Sequence, residues 1–465
     1  MTRQPCVIKC LGVFPAVAGQ SNVSDHKVST ANWRISHWDR GQHQEMGASS
    51  NVNQPIPTPI PSSISPTGKP IAVTTSVETV PDRTALRTKT LVVVGFAAGL
   101  LLSPKLWVSS RFYPLVPVFH GLPHIPFPLD YICYGLLLLL LVTIAFVAKP
   151  RLYIFTFVAF IAAYSLLDQT RWQPWAYQYW LMLIALGCFS WKPDDIRGRQ
   201  DAVNICRLIM GCTYFYSGLQ KLNGKFVTEG FPWVLGTLHL HIPITYLNYL
   251  GWIVPFIEVS IGLSLLTRRF RKVGILNGIV MHLFILYSFG PLGLNWNSVV
   301  WPWNVVMIAL ILILFWNTDV TFADIVWRNK FVYQKVVFVL LGVLPALSFI
   351  GRWPSDLSLA LYTDNLTEAN VLISKQVKRA LPVSVQQYVK PIPGHIVLRI
   401  QDWSFGEMNV PPYAEIQSFT SVGSEVCRYS RNSADVLLSG YEKNTLLGPG
   451  KEIRNTCFGT LVINP

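Results

Sequence analysis

Residues 132–148 read ICYGLLLLLLVTIAFVA, seventeen positions without one charge, and residues 299–316 are nearly as apolar. Each is about long enough to cross the ~30 Å hydrocarbon core of a bilayer as a helix. Only 13% of the chain is charged, against the roughly 25% usual in soluble globular proteins. Comparable apolar segments recur near 91–108, 151–167, 176–191, 202–222, 249–266, 273–289 and 331–350. The pattern predicts an all-α polytopic membrane bundle of about nine transmembrane helices over residues 89–351. A Pro/Ser-rich tail over 1–88, expected to be disordered and cytosolic, precedes it, and a small α+β extramembrane domain over 352–465 follows.

The net charge of +14 is distributed along the chain in a way that orients the bundle. Arg83, Arg87, Lys89, Lys149, Arg151, Lys192, Arg197, Arg199, Arg268, Arg269, Arg271, Lys272, Arg328, Lys330 and Lys335 fall at alternate loops; the loops between hold only Arg111, Arg171 and Lys225. The positive-inside rule then places the N-terminus in the cytosol and the C-terminal region in a lumen or outside. The expected setting is a multi-pass protein of the endoplasmic reticulum if eukaryotic, or of the inner membrane if bacterial. Its expected partners are membrane lipids and a lipid-soluble small molecule, with no nucleic acid.

Residues 55–70 (PIPTPIPSSISPTGKP) cannot bury enough apolar surface to order themselves. No secretory signal is apparent, because the stretch 7–18 is broken by Lys9 and Pro15. Cys133, Cys188, Cys206 and Cys212 lie in spans as small packing residues, and Cys6 and Cys10 lie in the tail. Cys427 and Cys457 are the two cysteines of the C-terminal region, which the orientation places in an oxidising compartment, so a disulfide between them is expected. Asn365-Leu366-Thr367 is a glycosylation sequon on the same side. Within that region 368–381 has helical periodicity, 395–404 alternates like a strand, and 413–429 suits a second helix. The loop 223–248, with Phe231-Pro232-Trp233 and two histidines, His239 and His241, is expected to fold over the end of the bundle. The histidines lack acidic or cysteine neighbours, and no metal site is assigned to them.

On a helix, Arg207, Tyr214, Ser217 and Lys221 fall along one stripe. A stripe of this composition faces protein rather than lipid. Glu258 beneath Pro255, His282, and the uncharged run Gly290–Asn304 (GPLGLNWNSVVWPWN) complete a candidate polar, aromatic-walled cavity. The expected catalytic residues are Lys221, His282, Tyr214 and Glu258. The expected substrate-binding residues are Arg207, Ser217, Gln220, Asn295, Asn297, Trp301, Trp303 and Asn304. Two plainer readings stay open: Arg207 and Glu258 as a buried ion pair, and the tryptophans as an interfacial belt.

The run TYFYSGLQKLNGKFVTEGF, with the later segment 274–308, resembles the vitamin K-dependent gamma-glutamyl carboxylase family and its horizontally transferred transmembrane (HTTM) domain, in the form of its small members. The resemblance implies a Lys221 that deprotonates a hydroquinone, with His282 matching a family histidine. Gln220 stands where the family has the first lysine of a pair, and the large lumenal region is reduced to residues 352–465. Glutamate carboxylation is therefore not expected. The reading is a membrane enzyme acting on a lipid-soluble isoprenoid or quinol-type molecule between helices, with Lys221 as base or charge anchor. One alternative is a terpene cyclase of the lyase class, in which Lys221 and Arg207 hold a diphosphate. The other is a non-enzymatic carrier or membrane scaffold.

Overall fold

A computed structural model describes residues 83–119, 121–240, 242–457 and 459–460. The cysteines and Pro-rich run of the N-terminal tail lie outside the described residues. The first helix, α1 (Thr84–Leu102), begins inside the stretch expected to be tail. Its Lys89, one of the orienting charges, is buried and donates from Nζ to the carbonyl of Ala145 at 3.0 Å. That carbonyl lies in the last turn of α2 (Leu129–Phe146), where a cation satisfies an otherwise orphaned acceptor.

The remaining long helices follow in hairpin order: α3 (Arg151–Leu166), α4 (Pro174–Gly187), α5 (Ile196–Gln220), α6 (Ile244–Leu266), α7 (Arg271–Phe289) and α8 (Val300–Phe315). The last, α9 (Val332–Ile350), starts as an α-helix and loosens through π and 3₁₀ turns. Among the described residues, α1, α2, α6, α7 and α9 are long and apolar enough to cross a membrane, and α3 and α8 are shorter apolar helices. This is a mostly helical integral membrane protein with five candidate spans by length and composition, against the nine expected from the sequence. The difference lies in α3, α4 and α8, which have sixteen, fourteen and sixteen residues, and in α5, whose first turns carry Arg197, Arg199 and Asp201. Neighbours in sequence pack as neighbours in space, and α1 closes the arrangement against α8 and α4. The α1 end of the core is aromatic, with Phe96 edge-on to Phe157 at 5.2 Å and to Trp175 at 6.0 Å.

The C-terminal domain is an antiparallel sheet with helices on it. Its elements are β1 (Glu368–Ile373), α10 (Lys375–Ala380), β2 (Val389–Ile392), β3 (His395–Leu398), α11 (Ile400–Met408), α12 (Ile416–Cys427), β4 (Val436–Tyr441), β5 (Glu452–Thr456) and β6 (Gly459–Thr460). The strand order is β2-β3-β1-β4-β5-β6. The helix expected over 368–381 is instead strand, cap and helix. Ala369, Val371 and Ile373 are buried at period two, and the Ser374 hydroxyl then accepts from Val377 N to start α10. The strand expected over 395–404 stops at Leu398, and α11 follows at once. Cys427 and Cys457 are joined by a disulfide that ties the end of α12 to the segment after β5.

This domain sits on one end of the bundle. Asn409 donates to Leu102 O at the end of α1, Tyr177 at the start of α4 donates to Asp356 O, and Asn223 just past α5 donates to Thr363 O. The sequon is part of the same fabric. Asn365 and Asn444 exchange two hydrogen bonds of 2.9 Å, and the Thr367 hydroxyl accepts from Lys443 N.

Candidate functional site

Helix α5 has no proline and is started by Asp195, whose carboxylate accepts from Gly198 N at 3.0 Å. Its partner α6 approaches so closely that side chains are excluded. A Cβ on Gly218 would lie 2.6 Å from Val259 N and 2.7 Å from Pro255 O; one on Gly262 would lie 2.7 Å from Gly211 O. Small residues at such a crossing let two backbones touch in a membrane. The same contact carries Glu258 on α6 to the end of α5.

There Lys221 is buried, and its ammonium is fully engaged. Nζ donates to Glu258 Oε2 at 2.8 Å, to Ser217 Oγ at 2.9 Å and to Ser217 O at 3.2 Å. Ser217 Oγ passes its own proton to the same Glu258 oxygen at 3.0 Å. One helical turn away Tyr214 Oη meets Nε2 of His282 on α7 at 2.5 Å, and His282 Nδ1 meets Oδ1 of Asn304 on α8 at 2.7 Å. Asn304 Nδ2 donates to Val300 O at 2.7 Å, so its Oδ1 is the face turned to the ring and accepts from Nδ1–H. This pairing fixes the proton on Nδ1; in the neutral ring Nε2 is then the acceptor and Tyr214 donates. Helices α5, α6, α7 and α8 thus meet in two adjoining polar chains.

The structure brings Lys221, Ser217, Glu258, Tyr214, His282 and Asn304 together. It does not bring Arg207 to them. At 1.5 Å per residue Arg207 lies roughly 21 Å down the axis of α5 from Lys221. It donates there to Leu314 O and to Asn204 Oδ1, both at 2.6 Å. The expected Arg207–Glu258 pair is replaced by Lys221–Glu258, because the two helices cross with Glu258 at the depth of Lys221. Arg207 and Lys221 therefore cannot grip one diphosphate between them, which removes the geometry of the cyclase reading.

Of the other expected binding residues, Trp301 and Trp303 bond within the bundle and Asn297 reaches the C-terminal region. Trp301 Nε1 donates to Phe289 O at 2.8 Å, Trp303 Nε1 to Gln178 Oε1 at 2.8 Å, and Asn297 Nδ2 to Tyr362 Oη at 3.0 Å. Asn295 turns the loop at φ 47°, a left-handed position that asparagine tolerates. Gln220 is turned inward, with Nε2 buried and unpaired. The loop after Asn223 folds into short helical turns, with His239 exposed at φ 52° and His241 outside the described residues.

Residues that the sequence did not flag close this end of the bundle. Tyr362 packs 4.8 Å from Phe289 and 5.9 Å from Trp296. Asp364 lies against Gly230, where any Cβ would collide with its carboxylate. Burial and the neighbouring Glu368 and Glu229 push the Asp364 carboxyl up to about 6, against the pull of Lys221 and Lys225. Leu359, Tyr362 and Asp364 all have left-handed backbones. No glycine marks those turns, so the sequence held no signal for them.

Residues 199–298 match the family model of the methylamine utilisation protein MauE. The match spans most of α5, all of α6 and α7, and the loop leading to α8, and so includes Tyr214, Ser217, Lys221, Glu258 and His282. It overturns the resemblance to the vitamin K-dependent carboxylase and HTTM family, which rested largely on the same stretch. Glycine-lined crossing and a lysine at a helix end are physical solutions open to unrelated helix pairs, so the short Gly–x–x–Lys–Leu element was a poor discriminator. No curated protein matches the chain, and no solved structure matches it.

Proposed function

We propose that the chain is a membrane enzyme that handles a proton on a lipid-soluble molecule of the quinol or isoprenoid class, at the centre where α5, α6, α7 and α8 meet. The observation that carries this reading is the Tyr214–His282–Asn304 chain. A hydroxyl sits 2.5 Å from a ring nitrogen whose other nitrogen is fixed by an amide. Such an arrangement holds one tautomer and lets Nε2 take a proton from the tyrosine side. Lys221 is the charge anchor rather than the base, since its three donors are occupied and Glu258 holds its charge in place. The lipid-facing helices α6 and α7 offer a lateral route for a membrane-dissolved molecule. On this reading nine crossings, counting α3, α4, α5 and α8, place the basic end of the bundle in the cytosol and the C-terminal domain on the other side. The family description of MauE names a process, methylamine utilisation, and no reaction.

The test is mass spectrometry of small molecules retained by the protein in mild detergent, for the parent and for Lys221→Met and His282→Gln. An isoprenoid or quinone-class lipid enriched over bulk lipid in the parent and depleted in Lys221→Met is expected. Retention of bulk phospholipid alone by all three proteins would sink the proposal. A lipid retained equally by the parent and both variants favours the carrier reading.

A further inference from the structure

We propose that the tight turn joining β4 to β5 is a lipid anchor: Leu446 and Leu447 insert into the bilayer beside the end of α9 and fix the C-terminal domain on the membrane surface. Both leucines are about as exposed as a side chain in a folded protein can be, at 79% and 76%. Two adjacent bare leucines on a loop tip normally mark a contact surface. The turn is rigidly built. Thr445 N donates to Gly448 O at 3.0 Å, Gly448 N returns to Thr445 O at 3.2 Å, and Leu447 N donates to Thr445 Oγ1 at 3.2 Å.

Position identifies the occupant. Leu446 N donates to Phe349 O at 2.8 Å, so the turn is bonded to the last turn of α9. Lys443 Nζ reinforces this by donating to Ser348 Oγ and Ser355 Oγ, each at 2.8 Å. Along α9 the exposed large apolar residues are Val332, Val336, Val339, Val343, Leu347 and Ile350, recurring every three or four residues as one stripe. A stripe of that kind on a membrane helix faces lipid. The leucine pair prolongs it at the point where the helix ends. Arg352 and Lys451 are exposed close by in sequence, and cations of this kind favour the headgroup layer. An apolar tip flanked by two cations fits an acyl layer beneath anionic headgroups better than it fits water.

The experiment uses the full chain in nanodiscs of phosphatidylcholine and phosphatidylglycerol. A nitroxide on Leu447→Cys is compared with one on Gln376→Cys, an exposed position of α10, for relaxation by oxygen and by a water-soluble nickel chelate. An oxygen-to-nickel ratio several-fold higher at position 447 is expected. A ratio equal to that at 376 would place the turn in water and overturn the proposal. Protection from both reagents would mean that protein covers the turn, and would overturn it equally. The unmodified chain gives an independent reading with a phosphatidylcholine carrying a diazirine in its acyl chain. Adducts on the peptide containing Leu446 and Leu447 are expected, and adducts confined to the helices would reject the anchor.

Discussion

The centre on α5 and the junction between the bundle and the C-terminal domain both bury charge, but only the first matches it fully. Around Lys221 and His282 each named donor meets an acceptor between 2.5 and 3.2 Å away. At the junction, Gln220 Nε2, Asn297 Oδ1, Trp353 Nε1 and Thr363 Oγ1 are buried without partners. Each such group costs about 1–3 kcal/mol of desolvation. The junction also stores left-handed backbone at Leu359, Tyr362 and Asp364. A satisfied network resists rearrangement, whereas a half-satisfied one yields first. The centre is thus expected to be the more fixed part of the molecule, and the junction above it the part that yields first.

Breaking the fixed part has the largest expected effect. Lys221→Met strands the Glu258 carboxylate among helices, a loss of about 3–5 kcal/mol for a buried pair deprived of one member. The unfolding midpoint in a single detergent should fall sharply, and adding Glu258→Gln should recover most of the fall. If Lys221→Met unfolds like the parent, the ion pair is not what holds α5 to α6. Asn304→Leu comes next. It leaves His282 Nδ1–H without its acceptor, at about 1–3 kcal/mol, and frees the ring to change tautomer. Nitrogen NMR of labelled histidine would read the tautomer directly. An unchanged Nδ1–H signal would show that something other than Asn304 fixes it.

The contrast between the two regions also separates what the sequence reveals from what it hides. The apolar segments were legible because lipid demands long uncharged runs, and the stripe Tyr214–Ser217–Lys221 was legible because helical spacing is fixed. The partner of Glu258 was not. Arg207 and Lys221 share a face, and only the crossing depth of α5 and α6, set by Gly211, Gly218 and Gly262, decides between them. Span number was less legible, because α3, α4 and α8 are shorter than a full crossing and α5 carries charge in its first turns. In the C-terminal domain Ser374 was the overlooked signal, a cap that divides β1 from α10. The left-handed turns over the site had no signal, since leucine, tyrosine and aspartate stand where glycine would announce them.

A smaller effect tests whether the junction opens with pH. Asp356 is buried there, accepts from Ala414 N at 3.0 Å, and has its carboxyl pushed up to about 7, chiefly by burial. Glu415, also raised by burial, Lys443, lowered by burial, and the phenols of Tyr177 and Tyr413 face the same group. A released aspartate titrates near its ordinary value of about 3.9. Between that value and 7 the docked state therefore holds more protons than the undocked one. Docking is strongest at the acidic end of this window and weakens as pH rises through it. Hydrogen exchange of residues 355–367, corrected for intrinsic rates, should show faster opening at about pH 8 than at about pH 5. Asp356→Asn should flatten the difference. A pH-independent parent would mean that the junction does not titrate as a unit.

The smallest expected change in stability is the one that separates a working proton path from packing. Tyr214→Phe keeps the ring, which lies edge-on to His282 with centroids 5.7 Å apart, and removes only the hydroxyl. Leaving Nε2 without its donor costs about 1–3 kcal/mol, small beside the Lys221→Met effect and small enough to leave the helices in place. If the tyrosine only fills space, the variant retains the same lipid as the parent and supports the same turnover once a substrate is in hand. If Tyr214 delivers a proton to Nε2, the lipid is retained but turnover falls, because the acceptor nitrogen faces a hydrogen-bonded path with its first member missing. Loss of the lipid itself would give Tyr214 a binding role and move the chemistry toward Lys221 and Glu258. These outcomes differ in which quantity changes, so a variant that barely disturbs the fold decides most about what the fold is for.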